Sequence, residues 1–427
     1  MLEGGKGDMR ILPDGLTGAV MAVEGITDAA VMLHGPGGCR VRHMVLSTAV
    51  YPREGRGDSF SPYYYGYPRV PATYLDEYDY INGALYKSEE GLAAVGSAAP
   101  SLIVVIDSPG AALIGDDHSR SIEDNGISDR AMHIAESMAS MPAPNACGHT
   151  LAAVMDFISP ERREVREGSV NILGLSLMDK DWKAAKDELV GFVESMDLEV
   201  VSTPGAGSSV KDLIASVDAE FNIIVCPEMC SGLREWYESI GIPSIESDKG
   251  APVGFDAVDS WIDAIAEATG RDPSVPRRAV ARCRETVFDK FAGIRYNALR
   301  IRGLTFSVAG TASVVRPLTE WLYSYLAMAP EAVRADPGAD AVQAEALRGF
   351  LESTGFGYAW DREPVPCGVV LCEGITALTM KLADQCRAGI PIGYSSMGLD
   401  DIISRPVYGT KGALYILDEI LHGVRNT

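Results

Sequence analysis

From Ser169 onward, short β-rich runs alternate with amphipathic segments, and this alternation confines the chain to α/β folds in which crossover helices link parallel strands. Val170-Asn-Ile-Leu-Gly-Leu175 predicts a strand, 182–196 a helix and 198–202 the next strand. Helices are expected over 209–217, 232–240 and 255–268, with a strand over 221–226. The charged segment 271–300, opening with Pro273 and Pro276, predicts a long connecting helix. The same unit then recurs. A strand over 304–309 precedes Gly310 and a helix to Leu326, a strand over 367–372 precedes a helix over 375–387, and a helix over 412–422 closes the chain. The N-terminal third predicts strands over 29–33 and 102–106. Between them lies a less regular insertion from Tyr51 to Tyr67, whose Tyr63, Tyr64, Tyr65 and Tyr67 suit either a cover over a neighbouring subunit or a local hydrophobic cluster. The expected fold class is α/β, with three Rossmann-like domains each built on a parallel sheet flanked by helices. Their expected bounds are 1–167, 168–270 and 271–427.

Composition narrows the functional classes. With 427 residues and 47% hydrophobic content, the chain is long enough for several cores. A net charge of −22 opposes non-specific contact with nucleic acid or anionic membranes, so neither is an expected partner. No apolar run approaches the roughly 20 residues of a membrane span, and the stretch 1–14 lacks the basic-then-apolar pattern of a signal peptide, so a cytoplasmic protein is expected. The eight cysteines are too scattered for a disulfide framework.

One cysteine stands apart. His34-Gly35-Pro36-Gly37-Gly38-Cys39 is a glycine turn that ends an apolar strand and delivers Cys39 to the start of a helix, where the positive end of the helix favours thiolate and hence a metal or redox role. Cys226-x-x-x-Cys230 alone is a weak metal signal, and Cys367 and Cys372 fall on opposite faces of one strand. No Gly-x-x-x-x-Gly-Lys-Ser/Thr loop occurs, and no Gly-x-Gly-x-x-Gly sits between a strand and a helix, so ATP hydrolysis and dinucleotide binding are not expected of this chain. Asp116 and Asp117 follow a glycine at a helix start, where capping and subunit contact compete with proton delivery as their role. His34 and His118 flank the presumed cluster region, and imidazole carries protons near neutral pH; a satisfied buried histidine is the plainer reading of His34.

Five segments, in order, resemble the component 1 family of nitrogenases, which includes light-independent protochlorophyllide reductase and nitrogenase-like enzymes of tetrapyrrole biosynthesis. They are the turn from His34 to Cys39, Thr73-Tyr-Leu-Asp-Glu-Tyr-Asp-Tyr-Ile-Asn-Gly-Ala84, Leu113-Ile-Gly-Asp-Asp117, Phe221-Asn-Ile-Ile-Val-Cys226 with Gly241-Ile-Pro243, and Tyr408-Gly-Thr-Lys-Gly-Ala-Leu414. The resemblance implies that Cys39 ligates an iron–sulfur cluster, of 4Fe-4S type, held at the interface with a homologous sister subunit or a second copy. It also implies a separate ATP-hydrolysing iron protein as electron donor and a reductive activity, which makes the chain an oxidoreductase subunit. Family cysteines would be expected in the loop now occupied by 60–67 and just before Leu113, where this chain has Asp107, Ser108 and Pro109. Asp107 is a conditional metal ligand, because the resemblance to protochlorophyllide reductase allows an aspartate there. One thiolate cannot hold four irons, so a partner supplies the rest, two copies of Cys39 share the cluster, or the cluster is absent.

Cys226 matches the position where the nitrogenase α subunit and its scaffold relative anchor a metal cofactor. It is a candidate contact for a further metal cofactor or a tetrapyrrole, or else a buried strand cysteine. The family's second cofactor ligand is a histidine, and the corresponding Met397-Gly-Leu-Asp-Asp401 has none, which argues against a nitrogenase iron–molybdenum cofactor. A non-catalytic sister subunit, or a scaffold for metallocofactor assembly, is the alternative function.

Overall fold

The computed structural model describes residues 10, 12–50, 63–64, 67–134, 138–293, 301–393 and 401–425. It forms two compact units. The first comprises Pro13–Met178 and Leu198–Ser244, and the second Met1–Leu12, Asp179–Asp197 and Ile245–Thr427.

In the first unit, strand β1 (Ala29–His34) is an unbroken buried apolar run up to its final histidine, as expected of a strand covered on both faces. The two-residue strands β2 (Tyr63–Tyr64) and β3 (Tyr67–Pro68) pair antiparallel; the rest of the tyrosine insertion lies outside the described residues. β4 (Leu102–Asp107) and β5 (Ala131–Ile134) complete a parallel sheet of order β1-β4-β5. Met32, Ile103 and Val105 pack on Leu92, Val95 and Ile122 from the helices Leu85–Ser97 and His118–Asp124. The helix Gly15–Glu24 is buried throughout and lies against Ala143–Ile158. Gly18 permits that approach, since a Cβ there would come within 2.2 Å of the Ala143 carbonyl oxygen.

The unit's second sheet is also parallel where its central strand pairs. It consists of β6 (Arg166–Leu173), β7 (Glu199–Ser202), β8 (Ala219–Ile224) and the edge strand β9 (Ser244–Ile245), in the order β7-β6-β8-β9. The helix after β8 runs Pro227–Ser239, five residues earlier than its apolar pattern suggested, because Pro227 is suited to a first helical turn.

The second unit carries a parallel sheet of β10 (Thr305–Gly310), β11 (Ala329–Ala335), β12 (Cys367–Cys372) and β13 (Cys386–Pro391), in the order β11-β10-β12-β13. Its helices include Ala312–Leu326 and Gly374–Leu382, and Gly409–Arg425 lies against Trp182–Glu194. The expected helix over 375–387 is corrected here. It stops at Leu382, Asp384 takes a left-handed φ of 55°, and Cys386 opens β13. The connecting helix spans Ser274–Gly293, and the remainder of its expected range to 300 lies outside the described residues.

The α/β class with three parallel sheets flanked by helices is therefore the architecture. Two of the three sheets lie in the first unit and one in the second, with the last residue of β9 belonging to the second unit. Among the described residues, no helix is long and apolar enough to cross a membrane.

Candidate functional site

Parallel register brings chemistry to one end of the first sheet. His34 ends β1 directly opposite Asp107, which ends β4, and His133 is the penultimate residue of β5. His118 opens the helix that follows β4; Asp117 caps that helix by accepting the Arg120 N–H. These side chains collect at the carboxyl ends of adjacent parallel strands, where open α/β sheets take their ligands.

Asp107 is the hub. His118 Nε2 lies 2.9 Å from its Oδ1 and His133 Nε2 lies 2.9 Å from its Oδ2. Burial pushes this carboxyl upward, but hydrogen bonds and charge from the two imidazoles outweigh it and hold Asp107 well below the ordinary carboxylate range. His34 Nε2 lies 3.1 Å from Asp116 Oδ2, which also accepts the Ala84 N–H at 2.9 Å. His118 Nδ1 is 3.0 Å from Ser88 Oγ. The His34 and His118 rings meet edge-on with centroids 4.7 Å apart, and His118 and His133 are 4.6 Å apart. Burial and the neighbouring His118 push the His34 pKa down against the pull of Asp107 and Asp116. One donor atom from each of His34, Asp107 and His118 lies within 4.8 Å of the others, and all three residues are buried.

Cys39 occupies different surroundings. It sits in the first turns of the helix Gly37–Val50 and is half-buried, with Asp14 and Arg42 as its charged neighbours. Burial and Asp14 raise its pKa above the usual thiol value, and Arg42 offsets this only in part. The expectation that the helix start favours thiolate is thereby corrected: desolvation and a carboxylate win. Val41 and Val45 on the same helix are exposed, and so is Tyr74, whose ring would contact a Cβ at Gly37. Tyr80 in turn reaches Gly110, close to the exposed Leu113.

Cys226 lies two residues beyond β8 and forms the N-cap of the helix Pro227–Ser239. It is completely buried, and its thiol donates to Glu228 Oε2 at 3.4 Å. Asp117 is a cap, as one reading of the sequence held, whereas Asp116 binds His34 and Ala84. The histidine-free stretch beginning at Met397 falls outside the described residues as far as Asp400. Sequence reasoning missed His133 and its meeting with Asp107. The strand that carries it is only four residues long and shows no clear alternation.

The profile of the nitrogenase component 1 type oxidoreductases matches residues 15–363. The chain belongs to this family. It is a divergent member. It is 25% identical over 269 residues to the nitrogenase iron-molybdenum cofactor biosynthesis protein NifE of Methanococcus maripaludis, a match covering 61% of this chain and 52% of that protein. It is 23% identical over 190 residues to one of the subunits of light-independent protochlorophyllide reductase from Rhodopseudomonas palustris strain BisB18, covering 44% of this chain and 32% of that one. The chain thus spans about half and about a third of these two relatives. In three dimensions it resembles the structure described as nitrogenase Cp1 at pH 6.5, with a TM-score of 0.78 at 16% identity, over 99% of this chain and 95% of the other. That likeness establishes the fold.

Proposed function

We propose that the chain is a nitrogenase-like reductase subunit that receives electrons from a separate ATP-hydrolysing iron protein through an iron–sulfur cluster at a subunit interface, with Cys39 as its thiolate ligand. The substrate class is a tetrapyrrole or a small reducible molecule. The observation that carries this reading is the setting of Cys39: a half-buried thiol on a helix start, beside exposed Val41, Val45 and Tyr74, on the glycine turn its family shares. Exposed apolar side chains around a metal-binding thiol suit burial by another chain.

Cys39 fits one corner of a shared cluster. It is the only cysteine among the first 146 residues, so the remaining thiolates come from a second copy or a sister subunit. When bound, such a cluster supplies one-electron transfer at a potential tuned by burial. This chain's own part is to present Cys39, to release its proton on ligation and to exclude water with the apolar rim. Asp107 faces His118 and His133, and Cys226 faces Glu228, whereas Cys39 neighbours Asp14 and Arg42, so the reading uses neither as a ligand of the cluster on Cys39.

A second reading, a non-catalytic sister subunit or a scaffold for metallocofactor assembly, is favoured by the lone ligand and by the likeness to a cofactor biosynthesis protein. Anaerobic purification with iron and sulfide analysis and reduced-state EPR separates the two. We expect a cluster signal in the wild type, alone or with a co-encoded sister subunit, and its loss in Cys39→Ala. A wild type without iron and sulfide under both conditions would overturn the reductase reading.

A further inference from the structure

Three of the chain's six histidines meet two carboxylates at the carboxyl end of the first sheet. Burying a carboxylate is costly unless a cation accompanies it. Here Asp107 and Asp116, each with a side chain only 8% exposed, have no Lys or Arg among their ion-pair partners in the described residues and pair with imidazole nitrogens alone. The cluster therefore brings nitrogen and carboxylate oxygen donors together in a buried place.

His34 supplies an independent observation. Its Nε2 is bonded to Asp116, while Nδ1 is buried and has no hydrogen-bond partner. A buried lone pair without a partner costs free energy that a metal ion would recover by coordination. The outer contacts are also those of a metal site: Asp116 orients His34, Ser88 holds His118 through Nδ1 and leaves Nε2 facing Asp107, and His133 steadies the second oxygen of Asp107. Such partners fix the tautomer and direction of ligating groups. Two imidazoles and one carboxylate with further positions open suit a first-row divalent ion rather than calcium or magnesium.

We infer that His34, Asp107 and His118 bind one divalent transition-metal ion, of the Zn2+ or Fe2+ class, with His133 as a positioning residue on the carboxylate. The site is separate from Cys39 and stands whether or not that thiol binds a cluster.

The test uses metal-stripped full-length protein, titrated anaerobically with Co2+ and with Zn2+, with bound metal counted by mass spectrometry and the Co2+ visible spectrum recorded. The expected result is one equivalent per chain, with d–d absorption and no thiolate-to-cobalt charge-transfer band. Asp107→Asn and His118→Gln should weaken binding by about 100-fold or more, and Cys39→Ala should leave it unchanged. His133→Gln leaves the three ligands in place and should weaken binding about 10-fold, which keeps the test decisive if a ligand variant does not fold. No uptake by the wild type, a thiolate band, undiminished binding in the folded ligand variants, or loss of binding in Cys39→Ala would each overturn the site.

Discussion

Gly174, one residue past β6, shows how single positions hold the ends of strands where Cys226 lies. Its φ is +90°, and a Cβ would fall 2.3 Å from the Cys226 carbonyl oxygen, so both the backbone conformation and the space exclude a side chain. Gly174→Ala is expected to cost about 2–4 kcal/mol in urea unfolding at neutral pH; a loss below about 0.5 kcal/mol would contradict this packing. At the same scale, legibility in the sequence was uneven. Cys39 could be singled out because a glycine turn between a strand and a helix is a local pattern. The partners of Asp107 could not, because nothing near His118 or His133 in the sequence encodes a contact across strands.

Helix termini carry a second layer of specification. Asp14 caps Gly15–Glu24 by accepting the Thr17 N–H at 2.9 Å and the Thr17 hydroxyl at 2.6 Å. Burial pushes the Asp14 carboxyl up, but Thr17, Arg42 and His43 together bring it below its usual value. A carboxyl depressed in the folded state contributes stability that is present above its unfolded pKa of about 3.9 and disappears as pH falls through the folded value. Asp14→Ala should therefore cost about 1 kcal/mol at neutral pH in denaturant unfolding. The gap between wild type and Asp14→Asn should shift against the wild type between about pH 5 and pH 3; a pH-independent gap would remove the carboxylate from the account. Glu188 serves Gly409–Arg425 in a similar way, accepting the N–H groups of Thr410 and Lys411, which gives the shared segment from Tyr408 to Leu414 a structural reason. Most elements were legible because apolar periodicity is local. The helix expected over 375–387 was overextended because the periodic run continues through a turn that only backbone geometry at Asp384 reveals.

For the whole molecule, a net charge of −22 keeps copies apart unless specific apolar surface overcomes it. Ile81 and Leu113 are each 82% exposed, and Val41 and Tyr74 about half. If that surface meets another chain, Val41→Glu should shift the sedimentation of the anaerobic protein, or of its complex with a sister subunit, toward the monomer while leaving the circular dichroism unchanged; an unaltered sedimentation profile would place the interface elsewhere. The sequence alone determined the α/β class, the cysteine turn, the missing phosphate-binding loop and the family likeness, because each rests on periodicity or on short contiguous motifs. Tertiary structure alone decided that His34, Asp107, His118 and His133 form one cluster and that Cys39 lies in other surroundings. The reason is register: parallel pairing sets the carboxyl ends of β1, β4 and β5 side by side, and that alignment depends on crossover packing that no local stretch of sequence records.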